Sequence, residues 1–147
     1  MRDAGAGAPV NGASAPPRRL WRSTGAVAAG FVAVVVLSLG TDQVLHSLRV
    51  YPPWGQPMAG SLFLLATAYR IVYSVVGGYV TARLAPHAPL RHALILGLVG
   101  LGPGVAGVIV AIAKPELGPL WYPIALVVTG IPCAWLGGVL YRQPLHQ

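Results

Sequence analysis

Apolar residues in this 147-residue chain gather into long unbroken runs instead of alternating with polar ones. Nineteen uncharged residues separate Arg22 from Asp42, 22 separate Arg91 from Lys114, and 25 separate Glu116 from Arg142. A fourth run, about 58–82, is interrupted once, by Arg70. A helix crossing a hydrocarbon core about 30 Å thick needs about 20 residues, so every run is long enough to span. Lipid offers no partner to a free N–H or C=O, and a helix pairs these groups within its own segment, so the many Val and Ile residues do not argue for strands. The pattern predicts an all-α transmembrane four-helix bundle over 23–142, with helices at about 23–48, 58–83, 90–113 and 119–141 and a short C-terminal tail at 143–147. Residues 1–22 differ in kind. Ala4-Gly5-Ala6-Gly7-Ala8-Pro9 and Ala15-Pro16-Pro17 have no apolar face to bury, which predicts a disordered N-terminal tail. It is basic where it meets the first helix, at Arg18-Arg19-Leu20-Trp21-Arg22.

Composition narrows the class further. Hydrophobic residues make up 55% of the chain and charged residues 9%, against about 25% charged in a soluble domain. Five of the 13 formal charges lie in the first 22 residues, leaving eight for the other 125, too few to give a globule a polar surface. The net charge of +7 does not point to nucleic acid, because the basic residues are scattered between apolar runs. A single cysteine, Cys133, excludes an intrachain disulfide and a multi-cysteine metal site.

Orientation follows from the arginines. Arg2, Arg18, Arg19, Arg22, Arg83, Arg91 and Arg142 would lie on one side of the membrane, and only Arg49 and Lys114 on the other. The positive-inside rule then places both termini and the 83–91 loop in the cytoplasm. Trp21 and Tyr141 fall at the inner boundary, and Tyr51, Trp54, Trp121 and Tyr122 at the outer one, where amphipathic rings favour the headgroup layer. The twin arginine before the first run also resembles an export signal with Ser38-Leu39-Gly40 as a cleavage site, but the run is long for a signal and three more follow it.

Between lipid-bathed helices, small residues four apart mark faces where backbones approach closely. Gly100 and Gly104 fit that rule in the third helix, and Gly130, Ala134 and Gly138 in the fourth, as contacts within the bundle or in a homo-oligomer. Gly102-Pro103-Gly104 predicts a kink. Gly77-Gly78 before Arg83 and Gly137-Gly138 before Arg142 form a faint internal echo.

Arg70 carries the strongest chemical signal. Twelve residues from either end of its run, it lies about 18 Å from each boundary, at the bilayer midplane. A charge at that depth costs about 2.5–3.5 kcal/mol on insertion scales and marks a function or a buried partner. Tyr69 adjoins it, and Tyr73 shares its face at spacing three. Asp42 is the one acidic residue near a span outside the Lys114–Glu116 loop, and with His46 and Arg49 it forms a polar stripe on the first helix. The expected arrangement is an intramembrane ion pair of Asp42 with Arg70. Asp42 and His46 could instead present two metal ligands, but no third stands at that depth, so no metal is expected. No serine–histidine–acid set, phosphate loop or paired carboxylates appear, and neither an enzyme nor a cofactor is expected. Arg83, His87, Arg91 and His92 could meet anionic lipid headgroups at the cytoplasmic turn.

Thr41-Asp42 with Leu45-His46, Tyr51-Pro52-Pro53-Trp54-Gly55, Ala68-Tyr69-Arg70, Gly77-Gly78-Tyr79, Thr81-Ala82-Arg83-Leu84-Ala85-Pro86 and Arg91-His92-Ala93-Leu94 together resemble a group of small bacterial four-span hypothetical membrane proteins. The resemblance covers about 24–142. It implies the bacterial inner membrane and carries no activity. Small multidrug exporters share the span count, but their glutamate in the first helix is missing here. The residues favour an accessory or structural membrane protein, or a small homo-oligomer. The rival is a small transporter, or a lipid- or anion-binding protein, using Arg70. Reporter fusions after Gln147 and within the 52–56 loop should report opposite compartments, the first cytoplasmic; a carboxy terminus outside would overturn the orientation.

Overall fold

The computed structural model describes residues 17–143 and is all-α: α1 (Pro17–Ser47), α2 (Gly60–Leu84), α3 (Pro89–Ala113) and α4 (Trp121–Arg142), with a single 3-10 turn at Pro115–Leu117. Residues 1–16 of the expected tail and 144–147 of the C-terminal one lie outside the described residues. Residues 17–22, expected in the tail, are helical instead, and the basic collar belongs to α1. Proline at a helix start gives up a donor that would have no partner there, so Pro89 opens α3 without loss. All four helices are long and apolar enough to cross a membrane, with mean hydropathy between 1.4 and 2.3 in their most apolar windows and no more than 17% of those residues buried. The rest of their apolar surface faces outwards, as lipid requires. The chain is a multi-pass membrane protein.

α1 ends in a turn that matters for the site. The N–H groups of Arg49 and Val50 bond back to the carbonyls of His46 and Leu45, and Arg49 adopts the left-handed conformation (φ 58°) that such a cap needs. The Tyr51 N–H also bonds to Leu45 O at 3.1 Å, so the chain folds back over the end of the helix and carries Tyr51 inwards.

α1 and α2 form one antiparallel hairpin, with Gly30 against Gly77 and Asp42 against Arg70. α3 and α4 form another, with Ala93 against Gly138 and Gly104 against Val127. The hairpins join chiefly through α2 and α4, which run parallel: Phe63 meets Tyr122, and Gly78 meets Ala134. α3 also packs against α1 and α2, whereas the backbones of α1 and α4 stay apart. α3 runs as one helix through Gly102-Pro103-Gly104.

Packing is uneven along the bundle axis. Near Pro17 and Gln143, the described chain ends, the core consists of small residues: Ala26, Gly30, Gly77, Gly78, Thr81, Ala82, Ala93, Gly97, Ala134, Gly137 and Gly138 are buried there. A Cβ on Gly78 would strike the Ala134 backbone, and one on Gly137 would strike Val75 O, so the two echoing glycine pairs meet each other at the parallel crossing. Gly104, Ala134 and Gly138 lie at helix contacts, as the spacing predicts. Gly100 and Gly130 do not. A Cβ on either would meet nothing within 4 Å, and α3 comes close to α4 at Gly97, where a Cβ would lie 3.0 Å from Ile131 Cα. Spacing alone identifies a stripe of small residues without saying which member faces a backbone.

These environments separate the glycines experimentally. Gly78→Ala and Gly137→Ala should each lower stability by about 2 kcal/mol, the usual cost of overpacking against an unyielding neighbour. Gly100→Ala and Gly130→Ala should raise it by about 0.5–1 kcal/mol, the helical penalty of glycine relieved. Thermal unfolding in detergent distinguishes the two pairs, and a uniform response would refute the assignment.

Candidate functional site

The direction in which side chains leave a helix explains how Asp42 and Arg70 meet. Asp42 lies five residues before the end of α1, about 7.5 Å along the axis, and Arg70 lies ten residues into α2, about 15 Å from the same face of the bundle. Side chains lean towards the N-terminus of their helix. In antiparallel α1 and α2 these lean in opposite senses, so Asp42 reaches deeper while Arg70 reaches back towards the loop side, closing the difference. The result is an ion pair with Arg70 Nη2 2.5 Å from Asp42 Oδ2. Arg70 sits within about 3 Å of the middle of its helix, as its place in the sequence predicts.

Asp42 is buried, at 7% exposure, and both of its oxygens are engaged. The Tyr69 hydroxyl donates to Oδ1 while Arg70 donates to Oδ2. Tyr69 therefore has its own proton committed, and its oxygen accepts from the Tyr51 hydroxyl at 3.3 Å whenever that group is not bonded to Leu62 O at 3.4 Å. Tyr73 pairs instead with Thr41, hydroxyl to hydroxyl at 2.7 Å. The guanidinium lies 5.8 Å from the Tyr69 ring centroid and 5.7 Å from that of Tyr122, inside the range where a cation gains from an aromatic face. Tyr122, supported by Phe63 at 5.1 Å, brings α4 into the cluster. Three helices and the α1–α2 loop thus converge on one carboxylate and one guanidinium.

Arg70 has a second environment. With Ser38, Ser74, Thr129 and an otherwise apolar lining drawn from all four helices, it borders a partly open cavity of about 360 Å³. Gly97, Gly100, Gly104 and Gly130 form much of the α3 and α4 walls. The absent side chains of Gly100 and Gly130, which do not serve helix contact, leave this space open. Ser74 and Thr129 donate to the carbonyls of Arg70 and Ala125 in their own helices, at 2.8 and 2.7 Å. Ser38, 8% exposed, lines the cavity from α1.

The remaining candidates divide. His46 packs its ring on Trp54 at 3.9 Å and edge-on to Tyr51 at 5.4 Å, so it packs with the α1–α2 loop and not with the ion pair. Its Nδ1 is buried without a partner among the described residues. Among the described residues, no three histidine, cysteine, aspartate or glutamate side chains come together. Arg83, His87 and Arg91 are exposed at the α2–α3 turn, but His92 is buried and its Nδ1 lies 3.2 Å from Ala88 O, so it does not face headgroups. Tyr51 and Tyr122, expected in an interfacial aromatic belt, turn inwards; Trp54 and Trp121 remain exposed. Nothing in the sequence singles out Tyr122, Thr41 or Ser38 for the site, because helix pairing alone brings them there.

Breaking one half of a buried ion pair strands the other charge and typically costs 3–5 kcal/mol. Asp42→Asn and Arg70→Gln should each lower stability by about that much, and the double variant should lose clearly less than the sum. Tyr69→Phe should cost about 1–2 kcal/mol. Strict additivity in the thermal unfolding of the double-mutant cycle would show that the two residues act separately. No known protein family, curated protein or solved structure matches this chain, which its four apolar helices and Asp42–Arg70 pair describe as a four-span membrane protein.

Proposed function

We propose that this chain is a non-enzymatic binding protein of the bacterial inner membrane, with cytoplasmic termini, that holds a lipophilic small molecule in the cavity beside Arg70. The observation that carries this reading is that Arg70 belongs both to the ion pair and to the cavity wall. A volume of about 360 Å³ falls within the usual range for ligand pockets, about 300–1,000 Å³. The cavity is partly open and largely apolar, so a lipophile can enter it from the bilayer. Two helix-interior glycines that make no helix contact keep it open.

The second reading is an accessory or structural protein, or a small homo-oligomer, in which the ion pair fixes the register of α1 on α2. The closed geometry of the pair favours it. In that reading bilayer acyl chains fill the cavity without selection. The exposed Arg83, His87 and Arg91 suit anionic lipid headgroups under either reading.

Occupancy separates the two. Wild-type protein and Gly130→Leu, a change at a cavity-lining position where an added Cβ meets nothing within 4 Å, should be purified into the same nanodiscs and their bound organic molecules extracted and weighed by mass spectrometry. The binding reading expects a lipophile at about one per chain in wild type and its loss from the variant. Identical extracts from two folded proteins would leave the structural reading standing.

A further inference from the structure

From the charge balance and donor count of the cavity, we infer that its ligand is an uncharged, largely apolar molecule bearing a hydrogen-bond-accepting oxygen, a ketone or similar carbonyl, held by Arg70 and Ser38. The inference rests on the binding reading above and specifies the chemistry of the ligand.

The charge argument comes first. Arg70 is neutralised by Asp42, whose two oxygens are held by Arg70 and Tyr69. Lys114, Glu116, Arg83 and Arg91 lie at the helix ends or in loops, and none borders the cavity. The polar corner is therefore neutral overall. An anionic ligand would place a second negative charge beside Asp42 in a low-dielectric setting, where like charges resist ionising together. A cationic ligand would meet the guanidinium itself. Neutral ligands alone avoid both penalties.

The donor count adds the acceptor. A guanidinium carries five N–H donors and no acceptor. One of these N–H groups is spent on Asp42 Oδ2, and the side chain, 24% exposed, borders the cavity. The Ser38 hydroxyl, on the same cavity wall, can donate to a ligand or accept from one. Ser74 and Thr129 have already committed their hydrogens to helix carbonyls. Arg70 thus brings more N–H donors to the polar wall than Asp42 takes up, while Val34, Val35, Leu101 and Val127 line the rest with hydrocarbon. A carbonyl oxygen turned towards Arg70, with an alkyl chain along the glycine walls, satisfies both.

The depth of the site bears on the source. Arg70 lies near the middle of a spanning helix, whereas the ester carbonyls of a phospholipid stay near the headgroups. The occupant is accordingly a molecule that dissolves in the bilayer interior, and not a membrane phospholipid reaching in.

Three probes matched in chain length test this: methyl decyl ketone, dodecane and dodecanoate, added at equal mole fraction to wild-type protein in phosphatidylcholine nanodiscs, with thermal stabilisation followed by tryptophan fluorescence. One charge-assisted hydrogen bond corresponds to about a tenfold gain in affinity, so the ketone should act at about one-tenth the concentration of dodecane, and dodecanoate should not surpass dodecane. Ser38→Ala, which leaves the ion pair intact, should reduce the ketone's advantage severalfold without changing the response to dodecane. Gly100→Leu should abolish every response while still folding. Equal potency of ketone and dodecane, or an undiminished ketone advantage in Ser38→Ala, would overturn the acceptor site. Dodecanoate acting most strongly would overturn the neutral class while leaving a binding cavity in place. Responses that are absent in wild type, or that persist in Gly100→Leu, would remove the binding reading itself.

Discussion

A guanidinium in the middle of a membrane must find an acceptor, and this chain provides one carboxylate within reach. The rest of the structure is arranged around that requirement. Arg70 stands near the centre of α2, Asp42 closer to the end of α1, and the opposite lean of side chains on antiparallel helices lets the two meet at 2.5 Å. The pair also fixes the register between these helices. Sliding α1 by one turn, about 5.4 Å, would leave both charges unpaired in hydrocarbon. Around the pair, Tyr69 and Tyr122 shield the cation, Tyr51 supports Tyr69, and the capped end of α1 brings Tyr51 into position.

The two ends of the bundle hold together by different physics. Towards the chain termini, glycine and alanine allow backbones to touch, and van der Waals packing does the work that the hydrophobic effect cannot do between lipid-bathed helices. Towards the opposite face, α3 has no buried residue beyond Gly97, and the polar cluster ties α1, α2 and α4 together instead. The cavity lies between these two regimes. Tight glycine contacts on one side and an extended Arg–Asp pair on the other leave a space that neither fills.

The chain makes some of this legible and hides the rest. With so few charges, both the spans and the partner of Arg70 can be read from spacing alone, since no other carboxylate stands near its depth. The packing glycines are only half legible. Spacing four finds Gly104, Ala134 and Gly138 correctly, but it takes Gly100 and Gly130 for contacts when they border open space. Telling a contact stripe from a cavity wall needs the position of the facing helix, which no local pattern encodes. The parallel pairing of α2 with α4 and the inward turn of Tyr51 and Tyr122 are hidden for the same reason, since their rings suit a membrane interface equally well. His92 looks like part of a charged turn because of its neighbours, yet it is buried against the start of α3.

The central claim is that Asp42 and Arg70 are joined inside the membrane, and solid-state NMR tests it most directly. Asp42 and Asp3 are the chain's two aspartates, so carboxyl labelling of aspartate with guanidinium labelling of arginine isolates the pair once Asp3 is replaced by asparagine. In lipid bilayers the Asp42 carboxyl carbon should show strong carbon–nitrogen dipolar coupling to one arginine guanidinium, as the 2.5 Å Nη2–Oδ2 contact requires. That coupling should vanish in Arg70→Gln. An Asp42 signal without guanidinium coupling in correctly folded protein would contradict the account.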